Sequence, residues 1–334
     1  MASKALPAYR ATLMTSNGLR GRPIGDYGAD LARAGVTRVI VYQNDLFWGD
    51  DDGVQFVADA KKLHTSGVLL IPAIWCFDPT TNAEGLRPDG SPGELCRLSN
   101  DELIRRMQTF FGRIEDSVRK QHEREVCWDS ELYYATPGMN GGLMQANRAW
   151  IATPDMDKRA STFGQLHKVF DFHVSTCVTT KHALLTQAWN IWWSRAMRAV
   201  ALGKVYAEDT YARKAIDPSN FNSAMFERIR FLLTNPSSNI AVLPGYWPST
   251  MSWAHLGEPG MTKSPDRRFE ADLNLLAKRF DAFSRASWVR IGAEDRKKVR
   301  QGLVRHVWYY DQNGEILDRL KELEYVHRRL GVIA

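Results

Sequence analysis

Four cysteines in 334 residues are too few for a disulfide scaffold. Cys76, Cys96, Cys127 and Cys177 share no CxxC spacing, and no paired histidines accompany them, so a zinc or iron–sulfur centre is not expected. Cys76 and Cys127 fall inside apolar runs and read as small core residues. Long hydrophobic stretches are also missing: the run from Val68 to Phe77 is too short to span a bilayer. No charged segment followed by an apolar one opens the chain, so no secretory signal is expected, which suggests a cytoplasmic or assembly-associated location. Neither GxGxxG nor GxxxxGK followed by Ser or Thr occurs after any apolar run, which argues against a nucleotide site of those kinds. No cofactor and no metal is implied. The eight histidines are scarce where chemistry would be expected, and no HxH pair follows the first strand, which counts against a metal-dependent amidohydrolase.

What is present is a globular composition, 44% hydrophobic and 25% charged. The net charge of +6 suggests affinity for acidic partners. The Lys and Arg residues are spread along helical segments, and Arg296-Lys297-Lys298 is the only tight cluster, so no continuous basic stripe for nucleic acid is expected.

One rhythm runs along the chain. Apolar, β-branched segments at 9–16, 36–43, 68–75, 125–133, 182–189, 204–207, 239–245 and 304–310 alternate with helical ones at 24–34, 52–66, 101–121, 156–179, 194–202, 221–233, 267–286 and 315–330. The eighth strand has a rival at 288–291. Gly35 and Gly67 are placed as left-handed helix ends, and Ser99 with Glu102 as a reciprocal capping box. Eight strand–helix units predict an α/β fold: a single (β/α)8 TIM-type barrel domain over 1–334 with extended β/α loops, those at 78–98, 135–156 and 246–266 lying over the top face. The segment 135–156, with Gly138, Gly141 and Gly142, is longer than ordinary connections and is expected to overhang the pocket.

In such a barrel the C-terminal strand ends carry the chemistry. Here nearly every one bears an acid, an amide or an aromatic ring: Asp45 and Trp48 after the second strand, Trp75 and Asp78 after the third, Asp129 and Glu131 after the fourth. The fifth contributes Trp189, Asn190 and Trp192, the sixth Glu208, Asp209 and Tyr211, the seventh Trp247, and the eighth Tyr309 and Asp311. The turns at the opposite end, such as Ala34-Gly35 and Ser66-Gly67, are short and plain. Carboxylates beside aromatic platforms suit a carbohydrate, whose rings present apolar faces and hydroxyls, and glycosidic hydrolysis needs two carboxyl groups across the anomeric carbon.

With Val126-Cys127-Trp128-Asp129 and Val205-Tyr206-Ala207-Glu208-Asp209, the chain resembles the (β/α)8-barrel glycoside hydrolases. The resemblance covers the whole architecture and is thin in sequence. The Trp-Asp end of the fourth strand is similar to families whose nucleophilic aspartate lies there and whose acid/base ends the sixth. It implies Asp129 as nucleophile in a retaining reaction, with either Glu208 or Asp209 as acid/base. A second group of such families uses glutamates after the fourth and seventh strands. Glu131 fits the first place, but Gly245-Tyr246-Trp247 supplies no acid for the second. The implied partner is a poly- or oligosaccharide. The alternatives are a glycan-binding barrel without catalysis and a structural component of a phage or cell-envelope assembly, with an oligomer or larger particle compatible with either.

Overall fold

The structure is a computed structural model that describes residues 11–15, 22–76, 78, 80, 86–93, 95, 98–118, 124–129, 156–178, 202–207, 241–246, 307–311, 314, 316–329 and 333. Its strands are β1 (Ala11–Thr15), β2 (Val36–Tyr42), β3 (Leu69–Trp75), β4 (Glu125–Asp129), β5 (His173–Val178), β6 (Leu202–Ala207), β7 (Ala241–Tyr246) and β8 (Val307–Asp311). The described helices are α1 (Gly28–Arg33), α2 (Asn44–Phe47), α3 (Val54–Thr65), α4 (Asn100–Val118), α5 (Met156–Val169) and α6 (Leu320–Arg329). Each strand pairs in parallel with the next, and β8 pairs with β1 from Ala11↔Val307 to Thr15↔Asp311. The eight strands therefore follow one another round a closed ring, the arrangement expected of a TIM-type α/β fold. Among the described residues no helix is long and apolar enough to cross a membrane.

Alternation along the strands sorts side chains between the lumen and the helix layer. Trp128 on β4 packs against Phe47, Phe110 and Phe163, which belong to α2, α4 and α5, and its indole N–H donates to His167 Nε2 at 2.9 Å. It faces outward, so Glu125, Cys127 and Asp129 face the lumen. Two contacts agree. Arg38 on β2 pairs with Glu125, and the Tyr42 hydroxyl donates to Asp129 Oδ2. β3 separates β2 from β4, so these contacts can form only across the barrel interior.

The helix ends follow local chemistry. The N–H of Gly67 bonds to His64 O at 2.9 Å and that of Val68 to Leu63 O at 3.0 Å, and Gly67 has φ +75°. This is a Schellman ending whose left-handed residue is glycine. α5 ends the same way: Asp171 N–H bonds to Lys168 O at 3.1 Å and Phe172 N–H to His167 O at 2.9 Å, with Asp171 at φ +56°. Here an aspartate takes the left-handed position, which carries no glycine signal in the sequence.

That ending corrects the sequence reading. α5 stops at Val169, ten residues before the expected 179, and His173–Val178 is β5. β4 is described over Glu125–Asp129, and its expected continuation to about 133 lies outside the described residues. The eighth strand is at Val307–Asp311, overlapping the 304–310 assignment. Ser99 Oγ accepts from Glu102 N–H at 3.2 Å as expected, but the capping box is not reciprocal, because Glu102 spends its carboxylate on Arg105 and Arg106.

Candidate functional site

The C-terminal ends of β2, β3 and β4 build the described part of the site. Asp129 is the last residue of β4, is 1% exposed and faces the lumen. An ionised carboxylate buried without a hydrogen bond is costly, and here the Tyr42 hydroxyl donates to it from the end of β2. Trp75, in register with Asp129 on β3, has the same lumenal parity and is half-buried beside it. Trp75 is fixed by its backbone: its N–H donates to Asn44 Oδ1 at 2.8 Å, and its carbonyl accepts from the Trp48 indole at 2.9 Å. The next residue ties the loop after β3 to β4, Cys76 N–H donating to Asp129 O at 3.1 Å.

Backbone and side-chain bonds tie the described parts of that loop together. Asp78 N–H bonds to Gly93 O at 2.8 Å, and Leu86 bridges Pro92 in antiparallel fashion. The Arg87 N–H donates to Ser91 O at 2.9 Å, closing a hairpin that carries Arg87. Asp78 is ion-paired with Arg87, Nε to Oδ2 at 2.8 Å, and its Oδ1 accepts from the Thr80 N–H and hydroxyl.

The expected residues divide into three groups. Asp129 and Trp75 come together at the lumen. Asp78 lies at the same mouth, within the ion pair, while Asp45 is exposed on α2. Three are corrected. Trp48 was expected as an exposed platform but is only 7% exposed, edge-on to Phe47, with the guanidinium groups of Arg87 and Arg106 each 5.3 Å from its ring. Tyr309 is fully buried on the helix side of β8, where its hydroxyl meets His327 Nε2 at 2.6 Å, because its register partner Leu13 and it share the outward parity. Asp311 is likewise turned from the lumen: Oδ2 accepts from the N–H groups of Ile316 and Leu317 at 3.1 and 3.0 Å and so caps the short turn Leu317–Arg319. Glu131, Trp189, Asn190, Trp192, Glu208, Asp209, Tyr211 and Trp247 lie outside the described residues, as do the loops 135–156 and 246–266 apart from Met156 and Tyr246. With β5 at His173–Val178, Trp189, Asn190 and Trp192 follow that strand by more than ten residues and do not form its end.

Sequence reasoning passed over Tyr42, Arg38 and Arg87. Tyr42 had a signal: Arg38, Ile40 and Tyr42 share one parity of β2, and a phenol at a strand's C-terminal end belongs to the same pattern as the acids. Arg87 had none, because hairpin geometry within a Pro- and Gly-rich loop is not periodic. Among the described residues no group of three or more His, Cys, Asp and Glu could hold a metal ion.

No protein-family model matches this chain, and no curated protein does. Solved structures do. The chain is similar to a fungal beta-1,4-galactanase at 11% identity and TM-score 0.53, over 96% of this chain and 100% of that one. It is similar to a GH113 beta-1,4-mannanase at 13% identity and TM-score 0.51, over 97% of this chain and 98% of that one. At such identities the likeness is one of fold.

Proposed function

We propose that the chain is a glycoside hydrolase that cleaves a poly- or oligosaccharide with a pair of carboxylates, Asp129 as nucleophile and Glu208 or Asp209 as acid/base. The observation that carries this reading is the Asp129 carboxylate at the C-terminal end of β4, facing the lumen and held by the Tyr42 hydroxyl. A barrel that used this aspartate only for packing would have no need of a lumenal acid at the one end where barrel chemistry is built. β6 ends at Ala207, so Glu208 and Asp209 follow directly in sequence, two strands from Asp129. The fold shared with a galactanase and a mannanase is consistent with such a pair.

In the proposed reaction an Asp129 oxygen attacks the anomeric carbon while the acid protonates the departing glycosidic oxygen. The resulting glycosyl ester is cleaved by water, activated by the same acid/base residue in its deprotonated form, which regenerates the Asp129 carboxylate. Tyr42, bound to Oδ2, fixes the carboxylate plane so that Oδ1 can serve as the attacking atom. Trp75 supplies an apolar wall for a sugar ring. One observation favours a second reading, a barrel that binds glycan without cleaving it: at 1% exposure, Asp129 is nearly closed off from solvent.

The deciding experiment measures reducing-end release from a panel of β-linked polysaccharides. Asp129→Asn is expected to lower turnover by several orders of magnitude with circular dichroism unchanged, and one of Glu208→Gln and Asp209→Asn is expected to do the same. Full activity in Asp129→Asn rejects the nucleophile. Binding without release in the wild type establishes the second reading.

A further inference from the structure

Arg87 is placed for recognition. Its hairpin is built by the Arg87–Ser91 backbone bond, by Gly90 at φ +78°, and by Asp89 Oδ1, which accepts from the Ser91 N–H and hydroxyl. The hairpin returns onto the end of β3, with Leu95 N–H donating to Cys76 O at 2.9 Å. Asp78, which holds the guanidinium, is two residues from Cys76, whose own N–H bonds to Asp129 O. Two residues of extended chain span at most about 7 Å, so Arg87 reaches the same mouth as the lumenal aspartate.

The guanidinium is only partly used. Nε faces Asp78, and Nη1 donates to Ser91 Oγ at 3.4 Å, near the limit of a hydrogen bond. Among the described residues no oxygen accepts from Nη2, although that atom is buried. A buried cationic N–H without an acceptor is unfavourable, and native structures normally satisfy such groups. Arg106 lies over the same indole and is more fully engaged. Its Nη1 is bound to the carbonyls of Phe47 and Trp48 and its Nε to Glu102. Burial first, and then the charge of Arg87, hold Arg106 below its ordinary pKa, which places the two cations within electrostatic reach. Against them stand Asp78 and Glu102, the latter shared with Arg105. Asp45, Asp50, Asp51 and Asp52 are exposed on the neighbouring segment, two of them engaged in bonds to the N–H groups of Gly53 and Val54. The whole chain carries +6.

We propose that Arg87 is a specificity-determining residue that takes a carboxylate of the substrate, so that the glycan is one bearing uronic acid residues. The location of this glycan rests on the reading of Asp129 as the reacting group. The Arg87 guanidinium, on a side chain 15% exposed, meets the carboxylate of a uronic ring lodged near Trp75, and the Arg106 charge adds to its field. An arginine suits the task because its charge is permanent and its donors are fixed in a plane. Asp78 and Ser91 set that plane in advance.

The test uses the full chain and two hexasaccharides of one β-1,4 backbone, differing only in whether C6 is a hydroxymethyl or a carboxylate. Binding is measured by calorimetry at low ionic strength for the wild type, Arg87→Gln and Arg87→Lys, and cleavage by reducing-end release. The wild type is expected to bind the acidic hexamer roughly tenfold or more tightly than the neutral one, the scale of one charge-assisted hydrogen bond. Arg87→Gln is expected to bring the two affinities within about twofold, and Arg87→Lys to retain part of the preference. Equal wild-type affinities overturn the inference even if Arg87→Gln does not fold, and so does an undiminished preference in that variant. Arg87-dependent binding of the acidic hexamer without cleavage of either supports the inference and rejects the hydrolase reading. Cleavage of the neutral hexamer with no acidic preference does the reverse.

Discussion

Two lumenal contacts between β2 and β4 have opposite characters. The Tyr42–Asp129 bond joins the C-terminal ends of the strands, where substrate would arrive. Tyr42→Phe removes one donor from a carboxylate, a loss of about 1.5–3 kcal/mol where the bond persists into the transition state. The expected result is a roughly tenfold to hundredfold fall in kcat, with a loss of stability of about 1–3 kcal/mol from the buried carboxylate that has lost a donor; an unchanged kcat would detach Tyr42 from the chemistry. The Arg38–Glu125 pair lies nearer the N-terminal ends, and each side chain is 1% exposed. Removing one partner takes the opposite charge away from a buried one, so Arg38→Met is expected to cost about 3–5 kcal/mol in urea unfolding. The double variant Arg38→Met/Glu125→Leu is expected to cost much less than Arg38→Met alone. A double variant as unstable as the sum of the singles would mean the two charges do not compensate each other. Asp129 was legible as a candidate, together with Glu131, because acids follow an apolar run there. Its tyrosine partner was not, because 87 residues separate the two and no local pattern joins them.

Two helix endings with one geometry show where reading the elements succeeds and fails. Gly67 and Asp171 both hold left-handed backbone after Schellman bonds. Glycine at that position is the commonest stop signal and was read correctly. Aspartate is among the few other residues that tolerate it, but it signals many other things as well, so the helix was extended through β5 and every strand-end residue assigned to the fifth unit was displaced. Asp171→Gly is expected to leave stability unchanged or raise it by up to about 1 kcal/mol, since glycine has no Cβ to strain. Asp171→Val is expected to lower it by about 1–2 kcal/mol in the same denaturant measurement. Equal stabilities for the two variants would show that the left-handed turn is not what ends α5.

At the scale of the molecule, one imidazole joins α6 both to the end of α1 and to β8, beside an ion pair between Arg33 and Glu324. His327 on α6 meets Ala34 O through Nδ1 at 2.6 Å and the Tyr309 hydroxyl through Nε2 at 2.6 Å. A carbonyl can only accept, so Nδ1 carries the proton, and with burial favouring the neutral ring Nε2 accepts from the Tyr309 hydroxyl. Ile333, beyond the helix, packs against Gly35, where a Cβ would collide with its Cγ2. Burial lowers the pKa of His327 to about 4 and that of His167 to about 3. Both values are depressed from 6.5, so the unfolded chain binds more protons below that pH. The stability contributed by the neutral rings is therefore complete above about pH 6.5, is lost progressively as pH falls, and stops changing once the folded rings protonate. Each histidine is expected to add up to about 1.4 kcal/mol per pH unit to the slope of stability between pH 6.5 and about 4.5, above the range where carboxylates dominate. His327→Phe should flatten that slope in urea titrations; an unaltered slope would show that this ring is not the responsible group.

Period-two strands separated by period-3.6 helices determined the α/β barrel, because every unit had to bury the same two kinds of face and local spacing records that requirement. The glycine helix ends and the acid at the end of β4 were equally local and equally plain. The tertiary structure alone decided which strand-end residues look into the lumen. Parity follows from where each strand stops, and one aspartate in a left-handed turn shifted the fifth strand by nine residues. It alone turned Tyr309 and Asp311 toward the helix layer, buried Trp48 beside two arginines, and brought Tyr42 to Asp129. These are contacts between residues far apart in the chain, and their energies depend on closure of the ring, which no single segment encodes.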